Sequence, residues 1–284
     1  MQRVPKRACA ALMALVPWVG PSAIPSVSPV HHAFNAQKRI CGAPPDTTSE
    51  IGAFVTAAHR AIESSRSGLI GKDALMRVRT INKRVARDGK VLEDAGGAER
   101  DIAPGRPFAS LRADSILHTG FVVETDTDVS YYAPDADVLL SPAFVASRCF
   151  SLQSAPSSQP SRVGVAFSAK NERANIKDIR GVMWLDRETR TLQRIDFQYT
   201  NVPPSYTIAG VGGSIAFSAL PSGDVVISQW EIRMPQGQVQ SQIALQQSLS
   251  RQRQQITIES LRVAGGAVQS LRVGTENIAI SIPR

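Results

Sequence analysis

A chain of 284 residues with 43% hydrophobic and 20% charged side chains can build a real core and is too moderately charged for wholesale disorder. The formal net charge is +8, yet Arg and Lys are scattered, with no basic stripe interleaved with aromatics, which argues against a nucleic-acid binder. Arg3, Lys6 and Arg7 fall in the N-terminal leader described next; 8 − 3 leaves about +5, read as solubility with weak attraction to an anionic membrane surface.

Those three basic residues precede an apolar stretch, Ala8 to Gly20, and then Pro- and Ser-rich sequence through Pro29. This is the order of a secretory signal peptide, assigned to residues 1–28 with cleavage between Ser22 and Ser28; a basic arm is the alternative. Pro17 interrupts the apolar run, which is too short to span a bilayer, and no later segment reads as a transmembrane helix. Export to the periplasm or cell surface follows. Cys9 leaves with the leader, so Cys41 and Cys149 remain as an even pair. An oxidising compartment can join them; two buried thiols are the other reading. Lys38-Arg39-Ile40 does not suit Cys41 as a lipid attachment site.

Residues 29–48 form a lead-in and 49–284 one β-rich domain. Asp46 to Ser49 offers helix N-caps, and Ile51, Phe54, Val55, Ala58 and Ile62 fall at helical spacing. The helix ends near Ser64 to Gly68, with His59 facing solvent. From Ala74 the period becomes two: Leu75 to Ala86 is a strand, Arg87-Asp88-Gly89-Lys90 a turn, and Val91 to Asp94 the return. Ala95 to Pro107 reads as a loop. A helical turn at Asp114 to His118 precedes strands at Phe121 to Glu124 and Ser130 to Ala133.

Pro142 to Ala146 is a short helix capped by Ser141, followed by strands at Arg148 to Leu152 and Arg162 to Ser168. Ile179 to Asp186 and Thr191 to Thr200 make a hairpin, with Ile195, Phe197 and Tyr199 on one face and Arg194, Asp196 and Gln198 on the other. A second hairpin joins Ser214 to Ala219 with Asp224 to Met234 through Pro221-Ser222-Gly223; Val226, Trp230, Ile232 and Met234 share a face. The Gln-rich stretch 236–255 is either a flexible excursion or a long polar strand. Gly265-Gly266 turns a last hairpin between Ile256 to Val263 and Val268 to Val273, and Ile278 to Ile282 adds an edge strand. The expected fold is mainly β with a minor α part: a curved antiparallel sheet or half-open barrel, the N-terminal helix on or near its concave face.

Three runs carry a resemblance: YAPDADVLLS at Tyr132–Ser141, DIRGVMWLDR at Asp178–Arg187, and LPSG at Leu220–Gly223 with WEIRMP at Trp230–Pro235. They resemble the C-terminal part of exported bacterial proteins labelled carboxypeptidase regulatory-like domain-containing, over Cys41 to Gly266. The small sandwich that gives those proteins their label has no counterpart here. The Gly181–Asp186 hairpin strand is similar, more remotely, to periplasmic lipoprotein-carrier folds, whose curved sheet cups an acyl chain. That resemblance implies no catalytic residues and no cofactor.

The residues themselves point the same way. His31 and His32 are adjacent near the leader, and His59 and His118 lie far apart in sequence, so no metal-ligand spacing appears. Gly210 to Gly213 reads as a turn before a strand, and no Gly-x-Ser-x-Gly elbow occurs. Asp135 and Asp137 follow Pro134 in a turn-like stretch, where Asp bonds to nearby amides; Asp186 caps its own turn. Trp184, Phe197 and Trp230 are the candidate lining of an apolar pocket, or else core filling. The function expected is non-catalytic: binding an apolar or lipid-like ligand on the concave sheet, or an envelope protein, without nucleic acid. A secreted hydrolase and a purely structural domain are the competing readings.

Overall fold

The structure, a computed structural model that describes residues 39–42, 46–125, 128–241 and 254–280, is organised by one large antiparallel sheet. The N-terminal segment read as a leader, with His31 and His32, lies outside the described residues. The chain enters through β1 (Ile40–Cys41) and passes to α1 (Glu50–Ser67). Ser49 caps this helix, its hydroxyl accepting from the Gly52 amide at 3.1 Å and so satisfying a first-turn donor. Ile51, Phe54, Val55, Ala58 and Ile62 form the buried stripe their spacing requires.

β2 (Ala74–Ala86) turns through Asp88-Gly89 into β3 (Val91–Asp94), with Gly89 at a positive φ of 87°. The loop expected over 95–107 holds instead β4 (Glu99–Ile102), paired with Met76 to Arg79 of β2. No apolar alternation announces β4. Glu99 and Asp101 accept from Arg79 and Arg77 across the strands, at 2.8 and 3.0 Å, so the pairing is written in charges on two separate segments.

Next come α2 (Ala113–Thr119), β5 (Val122–Glu124), β6 (Val129–Tyr131), α3 (Ala136–Leu140) and α4 (Pro142–Ala146). β5 and β6 pair only with each other. Asp135 and Ser141 cap α3 and α4, each accepting at 3.0 Å from the amide three residues on. A meander follows: β7 (Arg148–Ser154), β8 (Arg162–Ala169), β9 (Ile179–Asp186), β10 (Leu192–Tyr199), an unexpected short helix α5 (Pro204–Ile208), β11 (Gly212–Ala219), β12 (Val225–Ser241) and β13 (Gln254–Val273). Its strands pair in chain order. β1 adds to β7 at one edge, and β2 adds to β13 at the other with β3 and β4 beyond. The sheet is not closed into a barrel.

Two expectations for the C-terminal part need correction, and one alternative left open is narrowed. Gly265-Gly266 turns nothing: it lies inside β13, one strand of 20 residues. A Cβ on Gly266 would collide with the indole of Trp230 on β12, and one on Gly265 with the Trp230 carbonyl, so glycine is there for close approach. The terminal edge strand is β14 (Glu276–Ile278), paired with Leu271 to Val273 and placed earlier than expected. The Gln-rich stretch is strand at both ends, up to Ser241 and from Gln254; residues 242–253 lie outside the described residues. Gly212 and Gly213 likewise belong to β11 rather than to a turn, which Gly210 alone makes with φ 74°.

In β10 the alternation holds, with Ile195, Phe197 and Tyr199 buried. Register carries this parity sideways: Ile195 lies opposite Met183 and Ile215, and Ile215 opposite Trp230. These residues define the inner face. α1 touches β7, β8, β9, β10 and β12. At about 1.5 Å per residue it is roughly 27 Å long, while β7 to β12 span roughly 24 Å at about 4.8 Å per strand. The helix therefore runs across the strands, with α3 packed on α1 and α4 on α3. The core lies between this helical cover and the sheet.

Candidate functional site

Cys41 and Cys149 stand opposite each other across β1 and β7 and are joined by a disulfide with a sequence separation of 108. Of the two readings open from sequence, the bridge is the one realised. It fastens the segment ahead of α1 to the strand that follows α4. In the chain-entropy account a loop of this length stabilises by up to about 4.7 kcal/mol.

Under the helices the side chains are apolar almost without exception. His59 and Ile62 from α1, Leu139 from α3, Phe144 from α4, Phe150 from β7, Phe167 from β8 and Met183 from β9 surround a void. Its free space of about 10 Å³ takes roughly one water molecule. His59 was expected toward solvent and is instead half-buried on this lining. The reason is helical geometry: Val55, His59 and Ile62 are spaced four and three apart, so position 59 falls on the apolar stripe. Burial pushes the imidazole below its ordinary value of 6.5, because a cation loses hydration there.

Arg148, the first residue of β7, is 1% exposed. Its guanidinium donates to Asp178 Oδ1 at 2.7 Å and to the Ile179 carbonyl at 3.1 Å, and it lies over the Phe144 ring, 4.1 Å from the centroid. β8 separates β7 from β9, so this side chain spans a strand and ties the floor beneath α4 to the start of β9. Sequence reasoning passed over it. Nothing local distinguishes Arg148 from the other arginines, except that it stands just past Ser147, the C-cap of α4.

The three candidate pocket residues are all buried but do not meet on one face. Phe197 and Trp230 point inward, Trp230 stacking on Phe108 with ring centroids 5.6 Å apart. Trp184 lies opposite Arg194 on the other face and donates from Nε1 to Asp196 Oδ2 at 3.0 Å. The inward places on β9 go to Met183 and Leu185, 2% and 0% exposed. A pocket shared by all three aromatic residues is therefore not formed.

The two neighbouring carboxylates are engaged in holding the cover. Asp135 caps α3 and accepts from the Ser110 amide at 3.0 Å. Arg106 stands 2.9 Å from Asp137, and Arg66 of α1 stands 3.3 Å from it. Asp186 works as its position suggested. The Thr189 amide foremost, with the Thr189 hydroxyl and the Glu188 amide, holds its carboxyl below the usual range. At the far end of the inner face, burial raises the Tyr199 and Tyr131 phenols, and Tyr199 donates to the Tyr132 carbonyl at 3.1 Å. Among the described residues, no three His, Cys, Asp or Glu side chains gather as metal ligands, and no helix is long and apolar enough to cross a membrane.

Set against family models, curated proteins and solved structures, the chain matches none.

Proposed function

We propose that this is an exported, non-catalytic protein of the bacterial envelope that holds an apolar or lipid-like ligand between its sheet and its helical cover. The leader-like N-terminal sequence and the Cys41–Cys149 bridge support export to an oxidising compartment. The observation that carries the ligand is the convergence of three helices and three strands on one void whose lining is apolar apart from His59. Such a lining suits a hydrocarbon chain and has little to offer a polar substrate. The void takes only about one water, so a chain-like ligand enters by lifting α1, α3 and α4 from the inner face.

Native mass spectrometry of the protein purified from a periplasmic extract tests this reading. A lipid-sized adduct that organic extraction removes is the expected result. A bare mass before and after extraction overturns it and favours the second reading, a structural domain or scaffold, which the filled inner face also supports. A hydrolase has less behind it, since Asp135 and Asp137 are occupied with caps and arginines.

A further inference from the structure

We infer that the helical cover is pH-sensitive: it is seated on the sheet while the His59 imidazole is neutral and loosens when that ring takes up a proton. His59 is the one titratable group on a lining otherwise made of Ile62, Leu139, Phe144, Phe150, Phe167 and Met183. A proton on the ring places a cation among six apolar side chains, where nothing replaces the water it loses.

The charged groups on the surrounding elements offer no compensation. On α1 itself, Arg60 is exposed and Glu63 is paired with Arg66 at 2.8 Å. On α3, Asp137 is held by Arg66 and Arg106. α4 carries no charged residue. β7 contributes Arg148, itself a cation and committed to Asp178 just ahead of β9. On β8, Arg162 sits at the far end, opposite Asp186 of β9, whose carboxyl is taken up by its own turn; Arg180 of β9 is exposed. Consistent with this, burial is the single cause that lowers the His59 value.

The direction in pH follows from linkage. The unfolded chain binds the proton near pH 6.5 and the folded one only at lower pH, so this penalty is absent above about 6.5 and grows as pH falls below it. It stops growing once the folded value is passed. Carboxylates with lowered values, such as Asp46, Glu63 and Asp224, start from 3.8 or 4.5 and make their losses in more acid solution. The interval from pH 7.5 to 5.5 therefore isolates histidine. No ligand enters this coupling: a bare mass in the native spectrum leaves it standing, and its own failure leaves the binding reading intact.

The test is urea unfolding of the full chain at pH 7.5 and 5.5, for the wild type, His59→Phe and His118→Gln, with uptake of an anilinonaphthalene dye as a readout of exposed apolar surface. His118 is exposed on α2 and serves as the control. The folded-to-unfolded ratio of the wild type is expected to drop at pH 5.5, by at most about tenfold, since that pH lies only about one unit below the unfolded value, with dye uptake rising. His118→Gln keeps that drop and His59→Phe flattens it. Equal wild-type ratios at the two pH values, or an unchanged drop in His59→Phe, overturn the proposal. Should His59→Phe fail to fold, a carbon NMR titration of the wild-type His59 ring decides, and a midpoint at or above about 6.5 refutes it.

Discussion

Trp184 lies on β9 and Trp230 on β12, and each is laid over a glycine of a neighbouring strand, Gly164 and Gly266. They stand on opposite faces of one sheet. Trp230 packs inward against Phe108, with Val78 beside the same glycine. Trp184 lies on the outer face, at 8% exposure, and is tied to Asp196 by its one ring N–H. The comparison teaches that the burial of a large ring does not say which side of a sheet it serves. Strand parity and register decide that, and with it whether the ring can ever meet a ligand under the helices.

Substitutions can break or sharpen this contrast. The largest effect is expected from Trp230→Ala, which empties a packed inner site and should cost about 3–5 kcal/mol in urea unfolding. Trp184→Ala should cost clearly less, since solvent and flexible side chains can close on the outer face; equal losses would erase the distinction. Gly266→Ala comes next. Its new methyl meets a rigid indole on β12, and the expected loss is about 1–3 kcal/mol in the same assay. If Gly266→Ala is neutral, Trp230 has room to shift and the inner face is looser than described. The smallest is Trp184→Phe, which keeps most of the ring and removes the donor to Asp196. A loss of about 0.5–1.5 kcal/mol is expected, with intrinsic fluorescence reporting the remaining tryptophans.

These same residues mark what was legible in the sequence. The β10 run Ile195, Phe197, Tyr199 was readable because polar residues occupy every other place, so only one parity buries the apolar set. β9 was not, since Val182, Met183, Trp184 and Leu185 are apolar on both sides of the strand and local pattern leaves the face of Trp184 open. A glycine pair has the same letters in a hairpin turn as in a strand that must pass beneath a tryptophan. What places Gly265-Gly266 in β13 is Trp230, on a different strand. β4 and Arg148 were hidden for a related reason. Their partners, Arg77 and Arg79 in one case and Asp178 in the other, are distant in the chain and close only once the sheet exists. Caps were the most legible features, because Ser49 and Ser141 act within three residues; Asp135, read only as bonding to nearby amides, caps a helix, α3, that the sequence did not announce.

β13 receives β12 along one side and β2 along the other, so an early strand and a late one are neighbours, with Arg262 reaching Asn82 across a sequence separation of 180. A topology of this kind has high contact order and folds slowly, because a long stretch of backbone must be gathered before the pairing rewards it. A chain made or threaded from its N-terminus therefore spends that interval with β2 lacking its permanent neighbour. The amides and carbonyls on its β13 side then invite misassembly, and a chaperone that shields that edge until β13 arrives should raise the yield of folded protein.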